Sequence, residues 1–411
     1  MPVVLPPTPQ VTLPRSPNRY VWTAVFIAVV AVGSAHALWT WPADMQSRTA
    51  WFWVRVLVFP TLAGMGLFGL RLMYFEQETE RLKAEQAQWQ KDHAEAVRFA
   101  QEPLAVVDFA YLCAFGAYDA SARITGGNKL LQSQMPVTEG VAVRHTALPT
   151  LEGPLRADRF AAGFVDLLDR LDGTIHTLSH SIPLEVYLQL PEDIDQNELL
   201  ERWQACWTRF GYRPVPTILL SPEQNVMETD TWLDAHGGPA LEKFALFVSI
   251  QLHVTPPQNS TEAAVAVLLG WTPLAQRKGV SIRALWHRPA AAQEHILRDA
   301  MSTALQWGDA EAKKVADIWQ AGLSSAEKSA VLKASSDLEL AASKSDGLSG
   351  VHDIDLSLGN AGCATAWLAA VLAVERAAQT RIPQLVVTRQ QGLQLAVVQP
   401  LPAPHAVEHR P

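Results

Sequence analysis

The sequence predicts an α/β body of packed layers in two similar halves, carried behind a two-helix transmembrane hairpin and a helical stalk. Three observations predict it. Two long apolar runs lie near the N-terminus, a connector free of Gly and Pro follows, and strand-like runs then alternate with helical ones from Leu104 to Pro400. Hydrophobic residues make up 48% of the chain and charged ones 18%, which fits a folded chain with a membrane part and not a disordered one. The net charge of −8, without a basic block, argues against nucleic acid as a partner, since phosphate contacts need clustered Lys and Arg. Cys113, Cys206 and Cys363 stand far apart and form no CxxC pair, so neither a disulfide framework nor a zinc ribbon is expected.

The first apolar run, Val21 to Trp41, holds no formal charge and is long enough to span a hydrocarbon layer of roughly 30 Å. Tyr20, Trp22, Trp39 and Trp41 mark its ends, where amphipathic rings favour the headgroup region. A cleaved signal peptide has a shorter apolar core and no second run directly behind it. That second run, Trp51 to Tyr74, has a charge-free core from Val56 to Leu70 between Arg55 and Arg71, whose long side chains reach toward the interfaces. Gly64, Gly66 and Gly69, with Ala63, are expected to let the two helices approach closely. Arg15 and Arg19 precede the hairpin and Arg71, Arg81 and Lys83 follow it, while its loop holds only Arg48. The asymmetry predicts an inner-membrane protein with both termini and the body in the cytoplasm. Residues 1–20, with six prolines, and 401–411 are expected to be disordered tails flanking a hairpin at 21–75.

The stalk, 76–102, is rich in Glu, Gln, Ala and Lys and should continue the second helix until Pro103 stops it. In the first half, 103–272, strands are expected at Leu104–Gly116, Leu184–Leu190, Pro216–Leu220, Leu246–Val254 and Ala263–Gly270. Helices fit Arg159–Leu171 and Asn197–Phe210, and residues 119–156 read as an inserted loop. A loop at Pro273–Gly279 leads into the second half, 273–400. There, strands fit Ile282–Trp286, Lys314–Trp319, Gln384–Val387 and Leu393–Val398, and helices Ala291–Leu305, Ser325–Ala334 and Ala361–Ala377.

The stretch DIDLSLGNAGCATAWLAAVLAVERA, Asp353 to Ala377, followed by two closing strands, resembles the C-terminal half of the thiolase-like condensing enzymes, the β-ketoacyl synthases. KVADIWQAGLSSAEKSAVLKA resembles the strand, turn and helix that carry the family's other histidine. The resemblance implies a thiolase-like fold. It also exposes departures: Gly359-Asn360 stands where the family has Gly-His, Asp355 where it has lysine, and Trp319 and Gln320 at the other histidine's place. No cysteine lies between Cys206 and Cys363, where the nucleophile would sit. Condensation needs a thiolate to hold the acyl group and imidazoles to polarise its carbonyl. No catalytic, cofactor or metal site is therefore expected.

The aromatic-rich membrane segment, the stalk, PLAVVDFAYLCAFG, ALFVSIQLHVTPPQNSTEAAVAVLLGW and the thiolase-like tail together resemble the lipase-adaptor family of type VI secretion systems. That resemblance implies a non-catalytic, membrane-tethered adaptor that binds a secreted phospholipase effector and passes it to the spike protein. Two other readings stay open: a thiolase-type acyl-transfer enzyme using Cys113 or Cys363, and a structural component of a membrane secretion complex. The remaining features are read plainly. His176 and His180 lack a third ligand, Ser179 and Ser181 lack a GxSxG elbow, and Gly359 and Gly362 fit close packing better than a phosphate cradle. Trp203 and Trp207 are expected in a core or an interface.

Overall fold

The two apolar runs fold here as antiparallel helices that meet through Gly33 and Pro60, Ser34 and Val56, and Phe26 and Gly64. The computed structural model describes residues 6–7, 14–42, 47–134, 142–148, 151, 155–178, 181–221, 224–292 and 296–401. One unit covers Val4–Ala96 and the other centres on Val97–Pro411. In the first, helix α1 (Arg19–Trp39) starts where the Asn18 side chain accepts the Tyr20 N–H. Helix α2 (Ala50–Trp53), a π-helical turn at Val54–Val58 and α3 (Phe59–Ala100) run on without a break.

The π turn follows from Pro60. Its missing N–H cannot bond the Val56 carbonyl four residues back, and the Phe59 N–H reaches to Val54 instead. The Val56 carbonyl accepts the Ser34 hydroxyl of α1 at 2.7 Å. Gly33 faces Pro60 and Gly64 faces Phe26, and a Cβ at either glycine would lie 2.7 Å from its neighbour. Gly66 and Gly69 do not share this role: open space surrounds both, because the helix turns them away from α1. Both apolar helices are long enough to cross a membrane.

The second unit begins with β1 (Leu104–Leu112), α4 (Ala120–Thr125), β2 (Gln132–Gln134), β3 (Val143–Thr146) and α5 (Arg156–Thr177). It continues through β4 (Leu184–Gln189), α6 (Gln196–Arg209), β5 (Thr217–Leu219), α7 (Glu228–Leu233), β6 (Phe244–Gln251), β7 (Ser260–Thr261) and β8 (Ala263–Trp271). After α8 (Thr272–Arg277) come β9 (Ala284–Trp286), β10 (Ala290–Ala292), α9 (Leu297–Trp307), β11 (Asp317–Ala321), α10 (Ser325–Asp337) and α11 (Ala341–Lys344). The chain closes with β12 (Val351–Asp353), α12 (Ile354–Ser357), α13 (Thr365–Thr380), β13 (Gln384–Arg389) and β14 (Leu393–Pro400).

The main sheet runs β12-β11-β13-β14-β9-β1-β8-β6-β4-β5. Read outward from the β9–β1 junction, its two sides repeat. Each shows two antiparallel pairings, β1-β8-β6 on one side and β9-β14-β13 on the other. Each then ends in parallel neighbours, β6-β4-β5 and β13-β11-β12. This internal repeat gives the two similar halves. Three apolar cores separate the layers. One joins the first sheet half to α5 and α6 through Phe160, Phe164, Leu199 and Trp203. Another joins the second half to α9 and α10 through Met301 and Val331. The middle core surrounds α13, whose Trp367 stacks on Phe247 of β6 at 4.6 Å between ring centres. Burial on both sides is why β6 reads as one apolar run.

Several expected elements are corrected. The stretch 119–156 contains α4, β2 and β3, although 135–141, 149–150 and 152–154 lie outside the described residues. Glu375 of α13 supplies the carboxylate that accepts the Asp119 and Ser121 N–H groups at the start of α4, a cap that local sequence does not show. Pro273 opens helix α8 instead of a loop, as Pro suits a helix's first turn. Ala290–Ala292 pairs with β14 as a strand, so the helix expected from Ala291 starts at Leu297. Helix α5 extends through Gly173 to Thr177, and α13 starts at Thr365, not Ala361.

Candidate functional site

The segment from Asp353 to Gly362 builds one wall of the site by a chain of backbone constraints. The Asp353 side chain accepts the Leu356 N–H at 3.1 Å and starts the single turn α12. That turn aims Asp355 inward, where its Oδ2 accepts the Gly322 N–H at 2.7 Å. Its Oδ1 is buried without a partner among the described residues. Burial, followed by the charge of Asp353, pushes the Asp355 carboxyl up to about 6 against the pull of the Gly322 N–H and Lys328. Lys328 of α10 meets Asp353 at 2.6 Å.

Gly359 has φ +108 and lies against the backbone of Ser260, a position no side chain fits. The next residue bridges β7 through its backbone: the Asn360 N–H donates to Asn259 at 2.8 Å, and its carbonyl accepts the Thr261 N–H at 2.9 Å. The Asn360 side-chain oxygen accepts from the Gly362 N–H at 2.8 Å and the Thr365 hydroxyl at 3.3 Å. Its Nδ2 is thereby the end presented to the site.

The facing wall comes from the first half. β3 and β7, with β2, form a small sheet pinned to the second half, since Thr146 Oγ1 donates to the Leu358 carbonyl at 2.6 Å. His145 Nδ1 lies 2.8 Å from Ser260 Oγ, whose proton goes to the Pro257 carbonyl at 2.6 Å; the imidazole nitrogen is therefore the donor. His253 sits edge-on to His145 at 5.7 Å, with its Nε2 buried and unpartnered among the described residues. Burial lowers both histidines, so both are neutral at pH 7.

Behind them Glu262 accepts Arg159 at 3.0 and 2.6 Å, the Leu148 N–H at 2.9 Å and the His253 N–H at 3.0 Å. Burial would raise Glu262, but Arg159 and the two backbone donors outweigh it and hold the carboxyl below its usual range. Between the walls lies a cavity of about 510 Å³. Leu131, Pro257, Leu323 and Leu356 give it an apolar side; Arg144, His253, Lys328, Asp355 and Asn360 give it a polar one.

Of the residues at the resemblance's active-site places, Asp355 and Asn360 face this cavity. Trp319 and Gln320 do not. They lie buried on β11, where the Trp319 indole donates to Gln384 at 3.0 Å and packs at a tilt against His352. Arg144, His253, Ser260 and Lys328 carried no spacing signal, because strands distant in sequence bring them together. Cys363 stands beside Asn360, yet burial pushes its thiol up to about 12, and its sulfur lies 3.4 Å from the Ile250 carbonyl. Burial also pushes Cys113 up to about 12 and raises Cys206. All three thiols are protonated at neutral pH.

In the internal repeat the long helix α13 corresponds to a short turn at Asn225–Met227 with α7, each lying in the chain between the edge strand (β12 or β5) and the strand that begins the parallel set (β13 or β6). The first half thus keeps only a stub of its central helix. Trp203 and Trp207 are core residues. His176 pairs with Asp172 at 3.3 Å on an exposed face, whereas Ser179 and His180 lie outside the described residues. Among the described residues no three His, Cys, Asp or Glu side chains gather as a metal site.

No protein-family model and no curated protein matches the chain. Solved structures do. An oxazolomycin ketosynthase domain from Streptomyces albus is similar with a TM-score of 0.52 and 16% identity, over 73% of this chain and 95% of that one. The ketosynthase from module 6 of the Bacillus subtilis bacillaene synthase is similar at 0.55 and 10% identity, over 73% and 72%. A β-ketoacyl synthase from Burkholderia phymatum gives 0.50 and 10%, over 73% and 100%. The body has the thiolase-like ketosynthase fold.

Proposed function

We propose that the protein is a non-catalytic adaptor, tethered to the bacterial inner membrane by its apolar hairpin, with the thiolase-like body in the cytoplasm. In this reading the body binds a type VI secretion effector, a phospholipase, and passes it to the secretion spike. One observation carries the non-catalytic part: Cys113 and Cys206 are buried and Cys363 is half-buried, burial raises all three thiols so that each stays protonated, and the first half retains only a stub of its central helix. The two apolar helices support the tether, and an anchor raises the local concentration of a captured client near a membrane-embedded machine. The effector and the spike come from the resemblance of the whole sequence to lipase adaptors.

Pull-down of the full chain in mild detergent tests the reading: the effector and a spike protein are expected to co-purify, and recovery of neither refutes it. The fold also accommodates an acyl-transfer enzyme. Turnover of a thioester substrate, abolished by replacing Cys113 or Cys363 with alanine, would establish that alternative.

A further inference from the structure

We propose that the cavity between His253 and Asn360 receives a short extended segment of a client protein, held by one peptide group and one aliphatic side chain. The proposal rests on the adaptor reading and places its recognition site. Beside the unpartnered His253 Nε2, the described residues of the cavity wall offer an acceptor and a donor that a single peptide group complements. The acceptor is Asp355 Oδ1, buried and unpartnered among the described residues while Oδ2 is engaged by Gly322. The donor is Asn360 Nδ2, fixed toward the cavity because the amide oxygen already accepts two hydrogen bonds.

A buried polar atom left without a partner costs on the order of 1–3 kcal/mol, which an incoming N–H recovers. A peptide group brings both complements, an N–H for Asp355 and a C=O for Asn360. Leu131, Leu323, Leu356 and Pro257 supply the apolar wall for the adjoining side chain. The volume of about 510 Å³ suits a segment of that size. A free carboxylate can meet Arg144 and Lys328 but brings no N–H for Asp355 Oδ1, and a bare alkyl chain leaves Asp355, Asn360 and His253 unpaired. The occupant favoured by these groups is therefore a peptide.

The test uses the full-length protein in detergent with N-acetyl-leucine N-methylamide as the probe, followed by ligand-observed NMR titration. Its methyl ester, which lacks the terminal N–H, and the free acid are the comparators. The amide is expected to bind saturably, with the ester and the acid at least about tenfold weaker. Asp355→Asn keeps an oxygen for Gly322 but turns the cavity atom into a donor, and Asn360→Asp keeps the acceptor for Gly362 but removes the donor. Each is expected to weaken amide binding about tenfold while still unfolding cooperatively at pH 6, with Asp355→Asn melting above wild type. Equal binding of amide and ester, no saturable binding, or wild-type affinity in both variants overturns the proposal. If the effector still co-purifies in that case, the adaptor reading stands and recognition lies elsewhere. If the amide binds but no effector is captured, the adaptor reading itself fails.

Discussion

Asp355→Asn makes the cavity carboxyl a stability experiment as well as a binding one. The wild-type carboxyl moves from its ordinary 3.8 to about 6 on folding, mainly through burial. The folded state therefore holds this proton more tightly than the unfolded chain. The group's contribution is most favourable below about pH 4 and is lost as the pH rises through 6. Above that, the ionised carboxylate costs the folded state about 3 kcal/mol. Asparagine removes the charge and keeps an acceptor for the Gly322 N–H, at the expense of a charge-assisted hydrogen bond.

The variant is thus expected to be more stable than wild type by about 2 kcal/mol at pH 8, with the difference falling to about 0.6 kcal/mol at pH 5. Urea unfolding followed by tryptophan fluorescence at the two pH values measures it. A variant less stable at pH 8, or a difference independent of pH, refutes the reasoning.

Further outcomes follow from the same geometry. Gly359→Ala places a side chain at φ +108 against Ser260 and is expected to destabilise the body by at least about 2 kcal/mol, seen as a lower urea midpoint. Glu262→Ala strands Arg159 and two backbone N–H groups, with an expected loss of about 3–5 kcal/mol in the same assay. Cys113 and Cys206 are expected to ignore a thiol reagent such as Ellman's in the native state and to react fully in guanidinium; fast native reaction of either would contradict its burial. Full-length protein is expected to stay with the membrane through alkaline carbonate extraction, whereas a chain starting at Val97 should be released.

The parts legible in the sequence were those with a local cause. Continuous apolar runs such as Phe244–Gln251 and Ala263–Trp271 announced buried strands, and the Gly-free, Pro-free connector announced a helix reaching Ala100. The thiolase-like order of elements was readable because the chain repeats it. Elements fixed by distant partners were not. Helix α4 exists because Glu375 accepts its first N–H groups, and β10 exists because β14 offers an edge.

The site was half visible. Asp355 and Asn360 sit in one contiguous segment with glycines that flag close packing. His253, Ser260, Arg144 and Lys328 join them only through the β3–β7 pairing and the turn into α10. The glycines of the second apolar helix divide for a similar reason. Gly64 meets Phe26, but the helical turn carries Gly66 and Gly69 into open space.

The central claim, a condensing-enzyme fold that works by association and not by acyl transfer, is tested most directly by intact-protein mass spectrometry. The purified full chain is incubated with acetyl- and hexanoyl-coenzyme A at pH 8. The account predicts an unchanged mass and no thioester consumed. A stoichiometric acyl adduct on Cys113, Cys206 or Cys363, lost when that residue is replaced by alanine, would contradict it.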